Sequence, residues 1–148
     1  VKIDDNVEPL VRSALDAAVH RDTERFQAAL GAFTTEESST KAIELVLSVS
    51  AFVLFDVYDG KPSSSQATDL AARISEQEQW LEIQTAEVSQ LLDILTTGDT
   101  SRLTLLADRA AVVAFASAAN LLASASRPKE GEWWFNYLDK VEAAVESS

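Results

Sequence analysis

Asp56 and Asp59 stand three residues apart at the end of a long apolar run. That spacing lets two carboxylates share one helix face and hold a divalent cation together with water. Metal-assisted phosphohydrolysis in an all-helical protein uses pairs of this kind, completed by further carboxylates from a second helix. Asp108 and Glu76 are the available partners, and no second D-x-x-D or E-x-x-E run faces the pair. The plainer reading is two solvated carboxylates at a helix C-terminus, where the helix dipole slightly disfavours them.

His20 is the only imidazole, with Asp16 one turn before it and Glu24 four residues after. A general base oriented by a carboxylate needs such a neighbour. A di-metal bundle site needs Glu-x-x-His, and residue 17 is alanine. A cation near a helix end is explained by the dipole alone. Ser48, Ser50, Ser117 and Ser124 lie in helical runs where a hydroxyl bonds back to its own helix. None of them sits in a Gly-x-Ser-x-Gly turn. The glycines Gly31, Gly60, Gly98 and Gly131 are too scattered for a phosphate-binding loop. Without cysteine there is neither thiolate chemistry nor a plausible zinc set. No cofactor is expected.

Two groups of aromatic residues offer binding rather than catalysis. Trp133, Trp134, Phe135 and Tyr137 crowd one short stretch, and one helix face cannot hide all four. Trp134 belongs with Leu138 on a core stripe, which leaves Trp133 and Tyr137 as an interaction pair one turn apart. Phe52, Phe55 and Phe115 could line a cavity for a small apolar ligand. Asn120, alone in an apolar helix, needs partners for its amide and would fix packing register or line a cavity.

The elements that position these residues are helices. Glycine and proline number only 4 and 3 in 148 residues, and alanine is frequent. The run Ala42 to Val57 is apolar on nearly every side, so a helix there must be covered all round. Thr34 to Glu37 has capping-box spacing, and Gly60 with Pro62 closes the far end. Asn6, Asp22, Ser63, Thr85 and Thr100 are the expected starts of other helices. Thr100 opens a second long helix, and Arg127, Pro128 and Gly131 break the chain after it. The fold predicted is all-α. One domain spanning 1–148 holds about seven helices, with long buried central helices at about 35–59 and 101–126 in mutual contact and wrapped by shorter amphipathic ones. Pro62 and Pro128 follow the two long helices alike, yet residue identity between the halves is close to chance and gives a duplication little support.

The formal charge of -12 repels phosphate backbones and anionic lipids. No nucleic acid or membrane partner is therefore expected. Glu44 and Asp56 also interrupt the run at 42–57 that would otherwise suit a bilayer. No charged-then-apolar leader stands at 1–6, so a cytoplasmic setting is expected. Three functions follow from these readings. The favoured one is a non-enzymatic module for protein interaction or self-association through Trp133 and Tyr137. The alternatives are a phosphohydrolase using Asp56 and Asp59, and a receptor for an apolar ligand at Phe52, Phe55 and Phe115.

Overall fold

The computed structural model describes residues 2–126 and 130–147, and among them there is no strand. Seven α-helices follow one another: α1 (Glu8–Val19), α2 (Thr23–Gly31), α3 (Glu36–Val57), α4 (Ser64–Gln77), α5 (Thr85–Thr97), α6 (Ala110–Ala125) and α7 (Trp134–Ser147). Short 3-10 segments at Gln79–Leu81 and Thr100–Arg109 lie between α4 and α5 and before α6. This is the all-α bundle predicted from the sequence.

Helices α3 and α6 make the most extensive pairing in the molecule. In α6 every residue from Val113 to Leu122 is buried. Its alanines at 114, 116, 118 and 119 carry no bulk that would hold a neighbouring backbone away. Val46, Val49, Val53 and Leu54 form the matching interior of α3. The other helices cover this pair, α1 and α7 directly and α4 largely through α5.

The caps show how closely sequence sets local structure. Asp22 accepts from the N–H of Arg25 at 3.1 Å, and Ser63 and Gln66 form a reciprocal box. Three starts differ from expectation by a residue or two. Thr35 caps α3 with Ser38 as its partner, while Glu37 pairs with Lys41 at 3.0 Å. Asp4, not Asn6, organises the first turn, its Oδ1 accepting from the N–H groups of Asn6 and Val7 at 2.8 and 3.3 Å. Gln84 with Glu87 boxes the start of α5, freeing the Thr85 hydroxyl to meet Ser75 at 2.7 Å. In each case another side chain reached the free N–H groups first.

The second long helix is not continuous. Residues 100–109 wind as a 3-10 helix, opened by Asp99 rather than Thr100, and Ala107 breaks the backbone at φ 52°, ψ -131°. Residues three apart eclipse one another in a 3-10 helix, and Leu103 and Leu106, three apart, are the residues of this segment turned inward, while Leu105 is 60 % exposed. Arg109 pins the junction: it donates to the carbonyls of Leu81 and Glu82 at 3.1 and 3.4 Å and to Glu87 at 3.1 Å. Arg127 and Pro128, expected to end this helix, lie outside the described residues.

Among the described residues, one helical stretch, Thr100–Ala125, is long and apolar enough to cross a membrane by length and composition. In the bundle 61 % of its most apolar window is buried against protein.

Candidate interaction face

Helices α3 and α7 run antiparallel. Ile3 lies beside both Lys41 and Leu45 of early α3 and Glu142 and Ala143 of late α7, whereas early α7 meets late α3 through Tyr137. The Tyr137 hydroxyl donates to Asp56 Oδ2 at 2.8 Å. This bond separates the two aromatics that the sequence paired. Tyr137 is 8 % exposed and belongs to the core, and Trp133 is 59 % exposed. The expectation of a Trp133–Tyr137 surface pair is therefore corrected. Tyr137 faces α3 because its phenol finds a buried approach and a carboxylate to accept its hydrogen bond. The second exposed aromatic is Phe135, 44 % exposed, whose ring meets Trp134 edge-on at 6.1 Å.

Next to this end of α7 lies a depression of about 390 Å³ where the C-terminal turns of α3 and α6 meet α4. Val57, Leu121 and Ala125 give it apolar walls, and Asp56 and Arg73 stand at its edge. Asp56 thus joins the depression to the aromatic turn, touching both. Val57 and Phe52 on α3 are 49 % and 39 % exposed. Four large apolar side chains, Phe52, Val57, Trp133 and Phe135, therefore stay in water on the two helices that meet here.

Asp56 and Asp59 have structural occupations. Asp56 holds Tyr137, and Asp59 is the left-handed residue (φ 53°) that ends α3. The chain then closes with the Gly60 N–H donating to the Phe55 carbonyl at 2.8 Å, the long-range bond of a Schellman ending. Gly60 was expected to supply the left-handed turn; Asp59 does, a role that a short polar side chain tolerates. Among the described residues no three Asp, Glu or His side chains converge to hold a metal ion. The phenylalanines of the apolar-ligand reading occupy three different environments. Phe52 faces solvent, Phe55 is half-buried, and Phe115 is buried with its ring 5.9 Å from that of Phe33. Phe115 fills interior space instead of lining an opening.

His20 accompanies Asp16 as its spacing suggested, Nδ1 lying 3.3 Å from the carboxylate and 2.8 Å from the Asp16 carbonyl. The same carboxylate receives Arg25 at 2.7 Å. Of the four serines expected to bond back to their own helix, Ser50 and Ser117 do not: both hydroxyls are buried without a partner among the described residues.

Asn120 does find the partners its burial demands. Its Nδ2 donates to Gln77 Oε1 at 2.9 Å and to Glu78 Oε2 at 2.8 Å. Glu78 is only 3 % exposed and also receives the Trp80 indole at 2.8 Å and Arg21 at 3.2 Å. Sequence reasoning missed Glu78. The available signal was Asn120 itself, which required a buried partner, together with Trp80, whose N–H required an acceptor.

Asp4 and Glu142 are displaced from their ordinary behaviour. The hydrogen bond from Lys41, at 2.9 Å, holds Asp4 below the usual range. Burial, reinforced by the nearby Glu8 and opposed by Arg12, pushes Glu142 from 4.5 up to about 7.

No protein-family model, characterised protein or solved structure matches this chain.

Proposed function

We propose that this chain is a non-enzymatic, cytoplasmic helical module that docks a protein partner where the start of α7 meets the ends of α3 and α6. The observation that carries this reading is the pair of exposed aromatics, Trp133 and Phe135, in the turn that Tyr137 fastens to Asp56, which itself lines the Val57–Leu121–Ala125 depression. A tryptophan and a phenylalanine cost free energy in water, and at interfaces a few such side chains supply most of the binding energy. The depression has room for one aliphatic or aromatic side chain of a partner. Charge favours a basic segment over a second copy, because two chains each carrying -12 repel one another.

The test is solution mass together with affinity capture, using the wild-type chain and a Trp133→Ala/Phe135→Ala variant. Both side chains are exposed, so the variant should keep its helical signal and unfolding midpoint. A specific partner held by the wild type and lost by the variant supports the reading. A strictly monomeric wild type that holds nothing the variant fails to hold overturns it.

A further inference from the structure

Helix α7 is fastened to α1 by charge, and the fastening contains an excess carboxyl. Arg12 donates to Glu8 at 2.8 Å, to Asp139 at 2.7 Å and to Glu142 at 3.0 Å, so one guanidinium serves three carboxyl groups across the α1–α7 joint. Glu142 is the most enclosed of them, its side chain 12 % exposed, against 21 % for Glu8 and 62 % for Asp139. Its Oε1 takes the bond from Arg12, while its Oε2 is buried with no donor among the described residues reaching it. The Glu8 and Glu142 carboxyls are brought together on that one guanidinium and line the same depression. Two ionised carboxyls cannot bond one another, and a single proton between them supplies the missing donor. The other charges at this joint worsen the imbalance. Asp5 of the N-terminal segment and Glu146 of α7 line the same depression of about 350 Å³. Lys41 of α3 lies on the other side of Ile3 and is committed to Asp4 and Glu37.

We infer that the α1–α7 joint is a proton-operated latch, in which a proton held on Glu142 and shared with Glu8 seats α7, and its loss loosens α7 from the bundle. Burial of Glu142 together with the Glu8 charge raises its pKa, so the seated state binds the proton more tightly than the released state does. Seating is therefore firmest in acid, weakens as pH climbs from about 4.5 towards about 7, and is weakest above that. Because α7 carries Phe135 and is directly preceded by Trp133, the latch would govern how firmly the proposed docking turn is presented. The latch itself stands whether or not that face binds anything.

The experiment is an NMR titration of the full chain from pH 4 to 9, following side-chain carboxyl carbons and the α7 amides, with Glu142→Gln and Glu8→Gln as variants. A glutamine at 142 carries the donor that the proton supplies. The expected result has three parts: a Glu142 carboxyl titrating near neutrality, α7 amides shifting with the same midpoint, and a transition that disappears in Glu142→Gln and moves to lower pH in Glu8→Gln, where Glu142 stays buried. Glu142→Gln should also unfold at a higher urea concentration than wild type at pH 8 and at about the same concentration at pH 4.5. His20→Asn, which removes the only imidazole, should leave the transition in place. A Glu142 carboxyl titrating near 4.5, α7 amides indifferent to pH between 5.5 and 8.5, or a transition that vanishes with His20 would each overturn the latch.

Discussion

Glu78→Gln is the substitution that probes the interior most sharply, because it changes one atom and almost no volume. The carboxylate uses both oxygens as acceptors. Oε1 receives the Trp80 indole at 2.8 Å, and Oε2 receives Asn120 at 2.8 Å and Arg21 at 3.2 Å. A glutamine must put its NH2 where one of those oxygens stood, and either choice sets donor against donor. Turning the NH2 towards Trp80 is the cheaper option. It forfeits one hydrogen bond to a charged group and strands the indole N–H, for about 2–3 kcal/mol. Loss of the charge opposite Arg21 adds little, since that guanidinium is half exposed. The expected cost is about 3 kcal/mol, which for a chain of this size lowers the melting temperature by about 6–12 °C. Urea unfolding followed by far-ultraviolet circular dichroism and by tryptophan fluorescence measures it, with an unchanged denaturant slope as the sign that only stability moved. Arg21→Ala should cost under about 1 kcal/mol in the same assay. A loss below about 0.5 kcal/mol for Glu78→Gln would refute the three-donor account of this carboxylate.

Four other outcomes can be checked in the same assay. Ala107→Gly should raise stability by about 1 kcal/mol, because φ 52° with ψ -131° is open to glycine and strained for alanine, and the relief exceeds the added freedom of the unfolded chain; destabilisation would mean that the break is not strained. Asp59→Gly should gain a similar ~1 kcal/mol by easing the left-handed residue and removing an anion from a helix C-terminus, and a loss would point to a role for that carboxylate beyond closing α3. Ser117→Ala removes a buried hydroxyl without a partner and should be neutral or stabilising by up to ~1 kcal/mol, so a clear loss would reveal an acceptor. The stability difference between Glu142→Gln and wild type should grow by about 3 kcal/mol as pH rises from 4.5 to about 7 and then level off; a difference independent of pH would contradict the raised value.

What the sequence made legible was periodic or capped. Apolar spacing located α3, and reciprocal side chains at Ser63 and Gln66 located the start of α4, since both signals are local and survive any tertiary arrangement. The break before α6 was not legible in the same way. Leu103, Leu106, Ala107 and Ala110 suit a 3.6-residue period well enough to hide a 3-10 stretch, and the decisive partner, Arg109, acts on carbonyls 27 and 28 residues away. Tyr137 was misplaced for a related reason. Spacing along α7 put it beside Trp133 on the shoulder, but the side a tyrosine faces is settled by whichever acceptor lies opposite, and Asp56 is 81 residues distant in the chain. The candidate face was thus half visible: the excess of aromatics could be counted in advance, while which of them remained in water could not.

The pairing of α3 with α6 raises a question of specificity that the polar contacts of α6 with the end of α4 answer. A helix as rich in alanine as α6 presents a smooth surface, and sliding by one turn would exchange alanine for alanine at 110, 114 and 118 or at 111, 115 and 119 with only Phe115 interrupting. Apolar burial alone would separate such registers poorly, because the area removed from water barely changes. A slip of one turn, however, carries Asn120 roughly 6 Å along the helix axis, away from Glu78 and Gln77. The carboxylate, only 3 % exposed, would then lose a donor that its burial requires. The polar cluster therefore decides position more than it adds stability, as a single buried asparagine does in helical assemblies whose apolar seams are otherwise uniform. Replacing Asn120 and Glu78 together by leucine and methionine tests this directly. Stability should fall by no more than the about 2–3 kcal/mol of the stranded Trp80 indole, while the amide NMR spectrum of α6 should broaden or double as registers mix. A sharp single set of α6 signals in that double variant would show that Phe115 against Phe33, and not the polar cluster, sets the alignment.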